Sequence, residues 1–90
     1  MIYTRPRYER AWRKLTLSQQ VAVNAAVARL EAAFGRPHEH SGLGLRVFGR
    51  YFEFRVGLGV RVLFLNEGGD LFLCFVGTHE QVRAFIKQGN

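Results

Sequence analysis

Apolar residues recur along this chain in two rhythms, and the change between them divides it. From Arg7 to Leu15, the residues Tyr8, Ala11, Trp12 and Leu15 fall at i, i+3, i+4 and i+7, the spacing of one helical face. Thr16-Leu-Ser-Gln19 then has the form of a capping box, a hydroxyl N-cap with Gln at N3, and predicts a longer helix running to about Ala33. Val23, Val27, Leu30 and Phe34 form its stripe, and Val21, Ala25 and Ala28 widen it. Gly35 is placed to cap the helix and Pro37 to stop it. Beyond a loop at 36–44 the period shortens to two. Leu45–Phe48, Tyr51–Val56, Val60–Leu65 and Leu71–Val76 read as strands, joined by turns at Gly49-Arg50, Gly57-Leu58-Gly59 and Asn66–Asp70. Thr78 with Gln81 repeats the capping box and opens a last helix whose Val82, Phe85 and Ile86 pack onto the sheet. Residues 1–4 read as a short edge strand.

This order predicts a single α+β domain over residues 1–90, with both long helices on one face of an antiparallel sheet. A chain of this size buries roughly 60% of the surface its unfolded form exposes, and its 48% hydrophobic content is sufficient for a compact core. Because alternate strand residues point to opposite faces, Phe52, Phe54 and Val56 share one side while Tyr51, Glu53 and Arg55 share the other. A sheet that buries one face and lines the other with arginine, carboxylate and tyrosine suits an anionic partner. The charge balance agrees: 13 Lys and Arg stand against 7 Asp and Glu, for a formal charge of +6, and only Lys14 and Lys87 are lysine. Arginine's planar fork pairs bidentately with phosphate or carboxylate, so RNA, DNA, the ribosome or an acidic protein are the expected partner classes. The lone Cys74 cannot form an internal disulfide and reads as a buried thiol in a reducing compartment. Met1–Arg7 has no apolar run after its charges, and no stretch approaches the ~18 apolar residues of a membrane span. The expectation is a soluble cytoplasmic protein with no membrane partner.

Several segments in order carry a resemblance to a known family. They are Trp12-Arg-Lys-Leu15, His40-Ser-Gly-Leu-Gly-Leu-Arg-Val-Phe-Gly49, Tyr51-Phe-Glu-Phe-Arg-Val56, Val60-Arg-Val-Leu-Phe64 and Val76-Gly-Thr-His-Glu-Gln-Val-Arg-Ala-Phe-Ile-Lys87. None is diagnostic alone. Together, over essentially the whole chain, they resemble the RelE/ParE toxin superfamily of bacterial type II toxin–antitoxin systems. The resemblance implies a curved antiparallel sheet of four to five strands, two N-terminal helices packed on one face and a short C-terminal helix. It also implies a small cognate antitoxin that wraps the toxin. RelE-like members cut mRNA in the ribosomal A site without metal, activating the ribose 2′-hydroxyl against the adjacent phosphate. ParE-like members poison DNA gyrase, and related domains fused to helicases need carry no toxin activity.

Carried over by position, Arg61 matches the arginine that in the nucleases contacts the scissile phosphate, and Arg55 the second basic position of the preceding strand. His79 stands where the nucleases place an arginine or histidine, and Arg46 falls near the basic start of the sheet. Two departures bear on the chemistry. Phe85 occupies the place of a base-stacking tyrosine, and the family's lysine base is absent. Cleavage through the 2′-hydroxyl needs a base, an acid at the leaving oxygen and cations at the phosphate. Arginine is a poor base. Glu53 and His79 are therefore the candidates for proton transfer beside Arg55 and Arg61, although a Glu53–Arg55 or cross-strand salt bridge is an ordinary sheet feature. Arg46, Arg50, Tyr51, Arg83 and Phe85 are the residues expected to bind nucleic acid or the antitoxin. Arg7, Arg10, Arg13, Lys14 and Arg29 read as solvated helix residues able to help ribosome docking.

No cofactor and no metal are expected. His38-x-His40 lacks a third ligand, Gly42-x-Gly44 lacks the lysine of a phosphate loop, and no nucleophile triad is supported. The leading expectation is a ribosome-dependent mRNA endonuclease. The alternative is a non-nucleolytic binding module, either a gyrase inhibitor or a degenerate relative. Exposed sites imply that Arg61→Ala and His79→Ala each cost under ~1 kcal/mol. A homodimer is also open, because an exposed N-terminal edge strand can pair two copies.

Overall fold

A computed structural model, which describes residues 1–33 and 45–88, sets the elements in the order β1 (Ile2–Thr4), α1 (Pro6–Arg13), α2 (Leu17–Ala33), β2 (Arg46–Phe48), β3 (Tyr51–Val56), β4 (Val60–Glu67), β5 (Asp70–Gly77) and α3 (His79–Lys87). The five strands form one sheet in the order β1-β5-β4-β3-β2. From β2 to β5 it is an antiparallel meander, as the alternation predicts. Its turns are short: Glu67 pairs with Asp70, so only Gly68 and Gly69 connect β4 to β5. Both adopt positive φ (62° and 94°), the requirement of a tight hairpin turn that matches strand twist.

The sheet is mixed rather than wholly antiparallel, because β1 runs parallel to β5. No hairpin dictates the direction of β1; the chain leaves it through two helices and rejoins the sheet at β2, the opposite edge. The Arg5 amide extends the pairing to the Leu73 carbonyl at 3.0 Å, and the N-terminal ammonium reaches Asp70 Oδ1 at 3.2 Å. A register shift at Leu63/Phe64 places an extra residue in β5, a bulge that increases local twist and bends the sheet.

Both predicted capping boxes form. Gln19 N–H donates to Thr16 Oγ1 and Thr16 N–H to Gln19 Oε1, at 3.1 and 2.9 Å. Thr78 and Gln81 repeat the exchange at the start of α3 with the same distances. Helix α1 begins at Pro6, whose missing N–H costs nothing in the first turn, and ends two residues before the predicted Leu15. The proposed Gly35 cap, the Pro37 stop, Phe34 and the His38 and His40 pair lie outside the described residues.

The principal core lies between the helices and one sheet face. Tyr8 of α1 and Val23, Ala26 and Leu30 of α2 pack with Phe54, Val56, Val62, Phe64, Leu73 and Val76. Full burial of a side chain such as Phe54 or Leu30 contributes about 1.5–3 kcal/mol. The buried stripe of α2 is narrower than predicted: Ala26 joins it, whereas Val21, Ala25 and Ala28 are exposed. A single helix face of period 3.6 cannot hold all of them. A second core occupies the other sheet face, where Val82 and Phe85 of α3 cover Tyr51, Leu63, Leu65 and Cys74.

Burial in the principal core pushes Tyr8 up to about 12 from 10.0. The unfolded chain ionises this phenol near pH 10, whereas the folded one holds its proton to about 12. Stability fully present below pH 10 is therefore lost as pH rises toward 12, by up to about 1.4 kcal/mol per pH unit. Urea midpoints across this range are expected to fall for the wild type and to flatten for Tyr8→Phe; parallel curves would remove Tyr8 as the cause.

Candidate functional site

The hairpin β3–β4 assembles the chemistry on the face that carries α3. Its register sets Arg55 directly opposite Arg61 and Glu53 opposite Leu63, and β2 sets Arg46 opposite Glu53. Like charges facing each other across a non-polar ladder are unfavourable, so the arrangement needs a counter-charge. Glu53 supplies it to one partner. Its Oε1 accepts from Arg61 Nη1 at 3.0 Å, diagonally across the hairpin. Glu53 is wholly buried and Arg61 keeps 17% of its side-chain surface. The second carboxylate oxygen, Oε2, has no hydrogen-bond partner among the described residues. Arg55 stays exposed, and one carboxylate is left to serve two guanidinium groups.

His79 reaches the same end of the sheet by a different route. Gly77, the residue opposite Arg61 on β5, ends the strand, and α3 starts two residues later with His79 exposed at its first position. Gly77 allows that approach: a Cβ there would lie 2.5 Å from Gln81 Oε1 and 3.2 Å from the Phe75 ring. The capping box at Thr78 then fixes the direction of the helix.

The remaining candidates divide. Arg46 is exposed at the β2 edge. Arg83, one turn beyond His79, lays its guanidinium 4.7 Å above the Phe48 ring and so ties α3 to β2. Arg50 stacks 5.2 Å over Tyr51, whose hydroxyl hydrogen-bonds it and holds the guanidinium pKa above its ordinary value. Tyr51 and Phe85 do not present free faces to a base. Tyr51 is buried edge-on to Phe85 at 6.1 Å, and Phe85 stacks on Phe75 at 5.0 Å with Arg7 4.5 Å over its ring. The second core holds both rings, Phe85 packing onto the sheet as its helical position predicts. Burial likewise raises the pKa of the Cys74 thiol.

The site therefore brings together Arg55, Arg61, Glu53 and, at its rim, His79. It can hold a phosphate or carboxylate at Arg55 and Arg61, and it carries one exposed imidazole. Among the described residues no group of three His, Cys, Asp or Glu is placed to hold a metal. No described helix is long and apolar enough to cross a membrane. What the strand alternation did not reveal is that this face is half apolar. The signal was present in Leu63, Leu65 and Phe75, which share it with the charges.

No protein-family model matches the chain, and no curated protein matches it in sequence. Solved structures do match its fold. The RelB–RelE antitoxin–toxin complex of Methanococcus jannaschii gives a TM-score of 0.72 at 8% identity over 92% of this chain and 96% of that one. The isolated Escherichia coli RelE toxin gives 0.66 at 14% identity over 100% and 98%. The archaeal RelE–RelB complex of Pyrococcus horikoshii gives 0.65 at 12% identity over 86% and 91%. The chain has the RelE-like toxin fold.

Burial revises the expected cost of testing this site. Removing one partner of a buried ion pair leaves the other uncompensated, a loss of about 3–5 kcal/mol. Because Arg61 keeps some solvent contact, Arg61→Ala is expected to cost about 2–3 kcal/mol rather than under ~1. The double variant Glu53→Leu/Arg61→Ala is expected to recover most of that loss. Urea denaturation of the four-member cycle measures it, and additive losses would show that the two side chains do not interact.

Proposed function

We propose that this protein is the toxin of a type II toxin–antitoxin system and that it cuts mRNA on the ribosome through the ribose 2′-hydroxyl. The observation that supports this most directly is the Arg55–Arg61 pair, two arginines opposed across β3–β4 of which one, Arg61, is paired to the carboxylate of Glu53. An uncompensated cation beside a pre-positioned one is the arrangement a phosphodiester in transition requires, since negative charge grows on its non-bridging oxygens. Attack of the 2′-oxygen on phosphorus breaks the bond to the 5′-oxygen, leaving a 2′,3′-cyclic phosphate and a 5′-hydroxyl.

In this reading Arg61, held by Glu53, and Arg55 bind the phosphate. His79 protonates the departing 5′-oxygen. Glu53 has no exposed surface, so it acts as a positioning residue for Arg61 rather than as the base. The 2′-proton passes to water, and charge stabilisation carries most of the acceleration. Arg46 and Arg83 lie on the path of the strand. The fold's likeness to RelE chains found in complexes with RelB supports a cognate antitoxin as partner. A groove of about 460 Å³ between β1, α1 and α2, lined by Ile2, Tyr8, Trp12 and Val27, is a surface it can cover. A cytoplasmic location follows from this role.

One observation favours the alternative of a non-catalytic module, acting on gyrase or on no target. The two aromatics and the carboxylate expected at the site, Tyr51, Phe85 and Glu53, are all buried.

Arg55 separates these readings without disturbing the fold, because it is exposed. Induction of the wild type in a bacterial host is expected to create new mRNA 5′ ends inside codons. Arg55→Ala is expected to reduce them about 10²-fold, the usual cost of one charge-stabilising donor, with an unchanged denaturation midpoint. Growth arrest with intact mRNA would move the function to gyrase, and neither effect would leave a binding domain.

A further inference from the structure

A cavity of about 470 Å³ opens between α1 and the start of α3, and α1 lines it with Arg7, Arg10 and Lys14. These positions are i, i+3 and i+7, so the three cations share one helix face around the small Ala11. The other walls are Gly59 and Val60 of the β3–β4 end, Gly77, and the paired Thr78 and Gln81. Among the described residues no carboxylate lines it. Arg7 is held by neutral groups, the Phe85 ring and Gln88 Oε1 at 3.2 Å, so among the described residues its charge is not offset. Arg10 and Lys14 have neither a hydrogen bond nor an ion pair among the described residues. Glu9, the acid nearest in sequence, is engaged instead with Thr4. Three like charges converging on a concave, partly apolar wall focus a positive potential that only an anion relieves.

The cavity adjoins the site already described. Gly77 lines it and is also the residue opposite Arg61, and Thr78 leads directly to His79. We propose that this cavity is a second phosphate subsite, which holds a backbone phosphate of the same RNA strand beside the one met by Arg55 and Arg61. The assignment rests on the RNA-binding part of the reading above. It gives Arg10 and Lys14 a direct role in holding the strand and makes α1 part of the substrate channel.

A 2′-O-methylated tetranucleotide, which binds without being cut, tests it against wild type and Arg10→Gln/Lys14→Gln. In wild type the Gly77 and Thr78 amide resonances are expected to shift on titration. In the double variant those shifts disappear, affinity falls about tenfold, and the slope of log K against log salt drops by about 0.7 for the lost phosphate contact. An unchanged slope and affinity overturn the subsite, as does absence of binding by wild type. Saturation of the same amides by micromolar inorganic phosphate assigns a free anion and overturns the strand phosphate. Parallel mRNA cleavage keeps the two proposals apart. Binding that depends on Arg10 and Lys14, with mRNA left intact, keeps the subsite and removes the nuclease. Cutting by wild type, with unchanged oligonucleotide binding by the variant, does the reverse.

Discussion

The Arg61–Glu53 pair constrains more of this structure than its 3.0 Å contact suggests. A carboxylate taken wholly out of water is costly unless a cation or hydrogen bond compensates it. Glu53 therefore requires Arg61 at the diagonal position of β4, and only the observed register supplies it. A one-residue slip would carry Glu53 through to the face packed by α2 and bring Phe54 out to the other. The same register puts Arg55 opposite Arg61, so the requirement that stabilises one guanidinium leaves its neighbour uncompensated. Structural and binding demands are met by one choice of pairing.

The second constraint is the platform under α3. The bulge at Leu63/Phe64 lets Cys74 and Phe75 both join the face that α3 covers, interrupting strict alternation. Phe75 then stacks on Phe85, and Arg7 closes over Phe85 from α1. Helices from opposite ends of the chain are thereby coupled through one aromatic ring. The capping box fixes where α3 starts, and Gly77 lets it start close to Arg61. His79 owes its place at the rim to these packing choices, none of which involves its own side chain.

Most of the fold was legible because local signals and tertiary packing agree. Both T-x-x-Q boxes, the glycine turns and the period-two segments identify elements that the structure contains within a residue or two. The direction of β1 was not legible, since three residues with no hairpin carry no information about orientation. The site was legible in part. Glu53 and Arg55 share a face by alternation, Arg61 was reached through the resemblance, and the strand register sets all three on one face. What alternation cannot show is depth. Glu53 and Tyr51 look exposed in sequence because their neighbours are charged, yet both are buried, Tyr51 beneath α3, which begins only at His79. Phe85 was legible as a packing residue from its position on α3, and the second core holds it as that position predicts.

The distribution of acids explains where the charge of +6 is felt. Glu53 is spent on Arg61, Asp70 on the N-terminus and Glu9 on Thr4, so three carboxylates are engaged within the fold or at the β1 edge. Glu9 and Glu31 both line the apolar groove between β1, α1 and α2. Arg10 and Lys14, by contrast, line a cavity that holds no acid among the described residues, and Arg55 faces another arginine. The molecule thus has two unlike surfaces: an apolar groove with acidic members, suited to a protein segment carrying basic and apolar residues, and an unopposed cationic end, suited to a strand of phosphates. The role proposed above, meeting RNA when free and a protein when silenced, would use both, and helix α1 contributes to each from opposite sides of its own cylinder.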